Sequence, residues 1–211
     1  MHVHRPDTPI AQATSDTSPL VLLLVDVINP LTFPEAPHLE ESALHMASRL
    51  AALKHRLASH QVVTVYANDH YGAWHSEFRD VKAQCVQKGG VAAELVRLLA
   101  PQEPDYVILK PRHSAFYGTP LDLLLDHLGC QRLIIGGLST DMCVQMSAAD
   151  AYLRGFGLWV PQDCAAAESL ERHAQALAYM QRVFKADVRA STAWQAHELL
   201  NLAPLAIRRA T

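Results

Sequence analysis

Asp26, Lys110 and Cys143 are the residues of this chain whose types and positions suit joint chemistry, because each ends or follows a strand-like apolar run. The runs are Leu20 to Asp26, Tyr106 to Lys110, and Arg132 to Ile135, the last leading into Gly136-Gly137-Leu138-Ser139-Thr140-Asp141-Met142-Cys143-Val144. Cys143 falls between that strand-like run and a helix-like one. In the first turn of a helix a thiol feels the partial positive charge of unpaired backbone NH groups, which favours the nucleophilic thiolate. Taken singly, each residue also has a plainer reading: Cys143 as a buried structural cysteine, Asp26 as a cap, Lys110 as a solvated strand end. Taken together they divide one task. Cys143 attacks an electron-poor carbon, Asp26 relays the thiol proton, and Lys110 stabilises both the carboxylate and a thiolate.

Only a particular fold lets three strand ends meet. The strand-like runs are continuous rather than alternating, and helix-like patterns separate them, which predicts a parallel sheet covered on both faces. Further strands are expected at Val62 to Ala67, Leu158 to Val160 and a short Ala186 to Arg189. Helices are expected at Leu39 to Ser59, with Leu44, Leu50, Leu53 and Leu57 on one face, then Val91 to Leu99, Leu121 to Leu128, Met142 to Arg154, Ser169 to Phe184, and Thr192 to Leu200. Pro120 suits a first helical position after Thr119 as a cap. In such a sheet ligands bind beyond the carboxyl ends of the strands, where Asp26, Lys110 and the loop to Cys143 all emerge.

At 211 residues, 50% hydrophobic and 18% charged, the chain reads as one soluble α/β domain over 19–211 after a flexible tail over 1–18. A net charge of -3 provides no basic stripe for a phosphate backbone, so nucleic acid is not expected as a partner. No apolar run reaches the length of a membrane span, and the tail lacks the apolar centre of a secretion signal. A cytoplasmic location follows as the expectation. Cys85, Cys130, Cys143 and Cys164 show neither zinc-site spacing nor disulfide density, so reduced thiols are expected.

These motifs resemble those of the isochorismatase-like cysteine hydrolases, a family that includes the nicotinamidases. Leu-Leu-Leu-Val-Asp26-Val-Ile-Asn29 is similar to the family's aspartate motif and Leu-Lys110-Pro-Arg-His-Ser114-Ala-Phe116 to its lysine motif. Gly137-Leu-Ser-Thr140-Asp141-Met-Cys143-Val144, followed by Ala148, Asp150 and Ala151, resembles its nucleophile turn. The resemblance spans about Leu20 to Glu168. It implies a three-layer α/β/α, Rossmann-like fold with a six-stranded parallel sheet, a Cys143-Asp26-Lys110 triad, and hydrolysis of a C–N bond in a small amide-type molecule. It also implies a cis peptide before Ser139, an oxyanion hole formed by the NH groups of Ser139 and Cys143, and a homo-oligomer, dimer or tetramer.

The segment Asn68-Asp69-His70-Tyr71-Gly72-Ala73-Trp74-His75-Ser76-Glu77-Phe78 departs from the nicotinamidase pattern. Tyr71 stands where that pattern carries a metal-ligating histidine, and Asp69 with His75 make only two ligands, so neither a metal nor another cofactor is expected. The small-molecule pocket is expected to involve Asn29, Asp69, Tyr71, Trp74, His113, Phe116 and Tyr117, with Phe116 also suited to core packing. Retention of Cys143 argues against cleavage of an enol ether, which the family's isochorismatases perform without that nucleophile. Retention of all three motif residues argues against a purely non-enzymatic partner domain.

Overall fold

A computed structural model describes residues 17–71 and 77–202. The expected tail falls outside these residues except for Thr17 and Ser18. Ser18 is already part of the domain: it is buried, its Oγ donates to the Leu20 carbonyl and it accepts from the Val63 NH at 3.2 Å.

One six-stranded sheet contains β1 (Leu20–Val25), β2 (Val63–Asp69), β3 (Tyr106–Lys110), β4 (Arg132–Leu138), β5 (Gly157–Trp159) and β6 (Ala165–Ala166). Its order is β3-β2-β1-β4-β5, with β6 paired to the end of β4, and every pairing is parallel. Leu20, Leu22 and Leu24 enter one core, while Val21, Leu23 and Val25 enter the other. This is the physical meaning of a continuous apolar run: both faces of the strand leave water.

The first core is covered by α1 (Ala36–Ala58), α2 (Phe78–Lys88), α3 (Gly90–Leu99) and α7 (Ala196–Leu200). The second is covered by α4 (Leu121–His127), α5 (Gln145–Leu153) and α6 (Leu170–Phe184). The long α1 buries Leu39, Ala43, Met46, Leu50, Leu53 and Leu57 at helical spacing, whereas Leu44 falls off that stripe and is half-buried. Thr119 Oγ1 accepts from the Leu121 NH at 3.2 Å, so Thr119 caps α4 across Pro120, which precedes the first helical residue.

One expected element is corrected and one unexpected helix appears. The sixth strand is Ala165–Ala166, not Ala186 to Arg189, which meets β5 only through a bridge between Asp187 and Trp159. Two alanines carry no strand signature, and they pair because Gly137 and Leu138 extend β4 past β5 and offer them an edge. Helix α2 was not expected: Val81 and Cys85 are its buried residues, Phe78 packs partly against the core, and charged or polar residues interrupt this short stripe. It is closed by a capping box between Glu77 and Asp80.

The order of the sheet positions the site. The chain leaves β1 toward β2 and β3, then returns to the opposite side of β1 to form β4. The switch point therefore lies between β1 and β4, and a crevice opens at their carboxyl ends. The register pairs Val25 with Gly137, which sets Asp26 beside the turn that carries Cys143.

Candidate active site

Asp26 follows the last residue of β1 with φ +51, in the left-handed region that costs an ordinary residue energy but that aspartate, like asparagine, tolerates better than most. Its NH donates to the Ala67 carbonyl at 3.0 Å, and its Oδ1 accepts from the Asp69 NH at 2.6 Å. The carboxylate is thereby fixed from both ends, with Oδ2 left to face Lys110. Beside it, Asn68 is fully buried and clamps the next turn, donating to the Ile28 carbonyl at 2.8 Å and accepting from the Ile28 NH at 3.1 Å. The sequence reading missed Asn68. Its only signal was a polar residue near the carboxyl end of an otherwise apolar strand.

Lys110 ends β3, two strands away from β1, a separation of roughly 9.6 Å at about 4.8 Å per strand. Only a long flexible stem crosses that gap, and lysine has one. Its Nζ is buried 2.8 Å from Asp26 Oδ2, 3.5 Å from Asp69 Oδ2, 3.6 Å from Cys143 Sγ and 3.1 Å from the Arg112 carbonyl. Its proton affinity is raised: burial opposes the charge, but Asp26, Cys143 and Asp69 together outweigh that penalty.

Cys143 lies in a π-helical turn, Thr140–Val144, that runs directly into α5. The Ser139 carbonyl accepts from the NH groups of Met142 at 3.1 Å and Val144 at 3.2 Å. Such wide turns are rare and are frequently found at functional sites. Gly137 redirects the chain into this turn with φ +128, and a Cβ on it would lie 1.9 Å from the Val25 carbonyl oxygen. The expected cis peptide before Ser139 is absent, since the cis bond among the described residues is Glu103–Pro104. Glycine supplies the change of direction instead.

The expected depression of the Cys143 thiol is also corrected. Burial pushes its pKa well up, the Asp26 carboxylate adds to the rise, and Lys110 only partly offsets them. Asp26 is raised as well, by burial opposed by Lys110. The resting arrangement is thus a protonated thiol facing a strengthened base, with an ammonium holding both.

The lysine loop is stapled to the nucleophile helix. Ser114 Oγ donates to Asp150, Asp150 receives Arg154 at 2.6 Å, and Ser147 Oγ links the Ala115 NH at 2.9 Å to the Cys143 carbonyl at 2.7 Å. On the other side, His173 Nδ1 lies 2.8 Å from Thr140 Oγ1, and Arg172 donates to Asp141 at 2.6 Å, so α6 grips the turn.

The remaining expected pocket residues separate. His113 is exposed, yet its Nδ1 lies 3.6 Å from Cys143 Sγ. Tyr71, 39% exposed with φ +50, sets its hydroxyl 3.4 Å from the Ile28 carbonyl. Asp69 faces Lys110 and accepts from the Tyr71 NH at 2.6 Å. Asn29 is buried and shapes the loop, its Oδ1 accepting from the Leu31 NH at 2.8 Å. Tyr117 is exposed to solvent. Phe116 does not join a pocket: it packs in the second core, 6.1 Å from Phe156 and under the Arg154 guanidinium. Trp74 and His75 lie outside the described residues, and among the described residues no group of three or more His, Cys, Asp or Glu is placed to hold a metal. A groove of about 870 Å³ between α1 and α6 is lined by none of Asp26, Lys110 and Cys143.

Comparison with known proteins follows the same outline. The isochorismatase domain pattern matches residues 21–192. YaaI of Bacillus subtilis, an uncharacterized isochorismatase family protein, is 33% identical over 167 residues, which is 79% of this chain and 91% of YaaI. Ureidoacrylate amidohydrolase RutB of Klebsiella pneumoniae is 39% identical over 80 residues, only 37% of this chain and 34% of RutB. Among solved structures, the N-carbamoylsarcosine amidase of Thermoplasma acidophilum superposes with TM-score 0.63 at 28% identity, covering 83% of this chain and 98% of that one. An isochorismatase family protein from Desulfovibrio vulgaris reaches TM-score 0.70 at 23% identity over 87% of this chain and 99% of its own, a likeness of fold.

Proposed function

The chain belongs to the isochorismatase family, and from that premise we propose that it is a cysteine hydrolase cleaving a C–N bond of a small amide-type substrate through a thioester on Cys143. The observation that carries the reading is Lys110 Nζ standing 2.8 Å from Asp26 Oδ2 and 3.6 Å from Cys143 Sγ in a buried cluster. Ureidoacrylate amidohydrolase and N-carbamoylsarcosine amidase among the similar proteins support an amide, carbamoyl or ureido substrate.

Asp26 takes the thiol proton as Sγ forms a bond to the carbonyl carbon. The raised affinity of Asp26 suits it to accept, and Lys110 stabilises the sulfur as it gains charge. The NH groups of Ser139 and Cys143 receive the developing oxyanion. Collapse breaks the C–N bond, and the departing nitrogen takes the proton from Asp26. Water then releases the acyl group from sulfur. His113 flanks the approach to Sγ, while Asn29 and Asn68 hold the loop around Asp26 in place. A cytoplasmic homo-oligomer acting on small molecules is part of the same proposal and rests on the family resemblance.

The test is a screen of small amides, carbamoyl compounds and ureides for released amine or ammonia, with intact-mass detection of an acyl adduct. The reading predicts turnover by the native protein, an adduct mapping to Cys143, and no turnover by Cys143→Ala. Hydrolysis that survives in Cys143→Ala, or an adduct on another cysteine, would overturn it.

A further inference from the structure

We propose that His113 is a second catalytic base on the solvent side of Cys143, activating the water that hydrolyses the thioester; this rests on the cysteine-hydrolase reading above. Asp26 and His113 approach the sulfur under opposite conditions. Asp26 is 4% exposed, with one carboxylate oxygen bound to the Asp69 NH and the other to Lys110. It is well placed to exchange a proton with the thiol and poorly placed to meet a water arriving from outside. His113 is exposed, and its Nδ1 lies 3.6 Å from Sγ. Once Sγ carries an acyl group, the new carbonyl carbon lies one bond from sulfur, within reach of a water held by that ring.

The backbone keeps the ring there. His113 follows Arg112, whose carbonyl accepts from Lys110 Nζ at 3.1 Å, and precedes Ser114, whose Oγ is bound to Asp150. The loop is thus pinned on both sides to the two elements that carry Lys110 and Cys143. An imidazole takes up and returns a proton near neutral pH more readily than any other side chain.

The step balances. A water proton moves to the free ring nitrogen as the water oxygen bonds to the thioester carbon. The C–S bond then breaks, the electron pair stays on sulfur beside the Lys110 ammonium, and the carboxylic acid leaves. His113 returns its proton to Sγ, restoring the thiol and the neutral ring.

The probe is p-nitrophenyl acetate, whose phenolate departs without needing a proton, so its release in the first turnover reports acylation while the steady rate reports attack of water. For His113→Gln the expected result is an undiminished burst, a steady rate lower by ~100-fold, and an acetylated Cys143 peptide that accumulates during turnover. His113→Ala should behave likewise and recover turnover when free imidazole is added, because the vacated position is open to solvent. Steady rates equal to native in both variants would overturn the proposal. So would an equal loss of burst and steady rate with no acetylated peptide and no rescue, which would make His113 a wall of the site. Cys143→Ala separates the parent reading: if it still gives a burst, the nucleophile assignment fails, whatever His113 does.

Discussion

Cys143 shows why a cysteine's position along the chain and its protonation are separate questions. The end of an apolar run marked it as a nucleophile, and so did the turn before a helix, but the direction of its pKa depends on burial and on an Asp26 carboxylate brought from the far end of the chain. The same distinction makes a test. Replacing Asp26 by Asn removes a charge that raises the thiol, so alkylation of Cys143 by iodoacetamide at a fixed mildly alkaline pH should become faster. Turnover should nevertheless fall by at least ~100-fold, because the proton acceptor is gone. Lys110→Met should do the reverse to alkylation and slow it, since Lys110 lowers the thiol. Peptide mapping of alkylation rates in the native protein and both variants decides the matter; a slower Asp26→Asn would mean that the carboxylate does not face the sulfur. In the native enzyme Asp26 must be ionised to accept the proton, and its affinity is raised. The acid limb of the pH–rate profile should therefore lie above the ordinary carboxylate value of 3.8.

At the scale of elements, the junction of β4 with the π turn carries the most demanding backbone. Gly137→Ala would place a methyl 1.9 Å from the Val25 carbonyl oxygen and hold alanine at φ +128. The φ alone costs about 1–3 kcal/mol, and β1 must also move away. At roughly 2–4 °C per kcal/mol, the melting temperature should drop by several degrees and activity should fall with it, since Asp26 leaves β1 at that spot. A variant that melts like the native protein would show the strand pair to be more plastic than its register implies. The C-terminal segment offers a second test. Asp187 is held near pH 2 because Arg189 and Trp194 hydrogen-bond its carboxylate and outweigh its burial. A depressed carboxylate stabilises the fold above its unfolded pKa and loses that contribution as pH falls, here between the ordinary 3.8 and about 2. Asp187→Asn should flatten that part of the acid-unfolding curve, measured by circular dichroism. Helix α2 and strand β6 had no comparable signal in the sequence. Phe78, Val81 and Cys85 make only a short stripe in a polar stretch, and Ala165–Ala166 becomes a strand only because β4 runs past β5.

For the molecule as a whole, the continuous runs at Leu20 and Arg132 made a doubly covered parallel sheet legible, and with it the convergence of three strand ends. What stayed hidden were long-range polar contacts such as the Asn68 clamp on Ile28, because an amide's partner 40 positions away leaves no local trace. The convergence has a consequence for stability. Lys110 is fully buried in contact with Asp26, which is itself only 4% exposed. Removing one partner of such a pair costs about 3–5 kcal/mol because the other charge is left uncompensated. Lys110→Met should be destabilised to that degree near neutral pH, yet its Asp26 has an escape, which is to take up a proton. With the cation gone, the Asp26 pKa rises further above its unfolded value. A raised carboxylate stabilises the fold below its unfolded pKa and loses that contribution as pH climbs through the folded value, so the variant should regain stability as pH falls through the raised Asp26 value toward the ordinary 3.8. Asp26→Asn/Lys110→Met leaves no fully buried charge unpaired, since Asp69, the other carboxylate beside Lys110, is partly exposed to water. It should be more stable than the single Lys110→Met variant at pH 8, with a flatter pH response over the same range, while remaining inactive. Urea unfolding of the native protein and of the two variants across that range measures this. If Lys110→Met is equally weak at every pH and the double variant no better, the cost lies in the packing lost with the lysine stem, and the buried ion pair is not what ties the site to the fold.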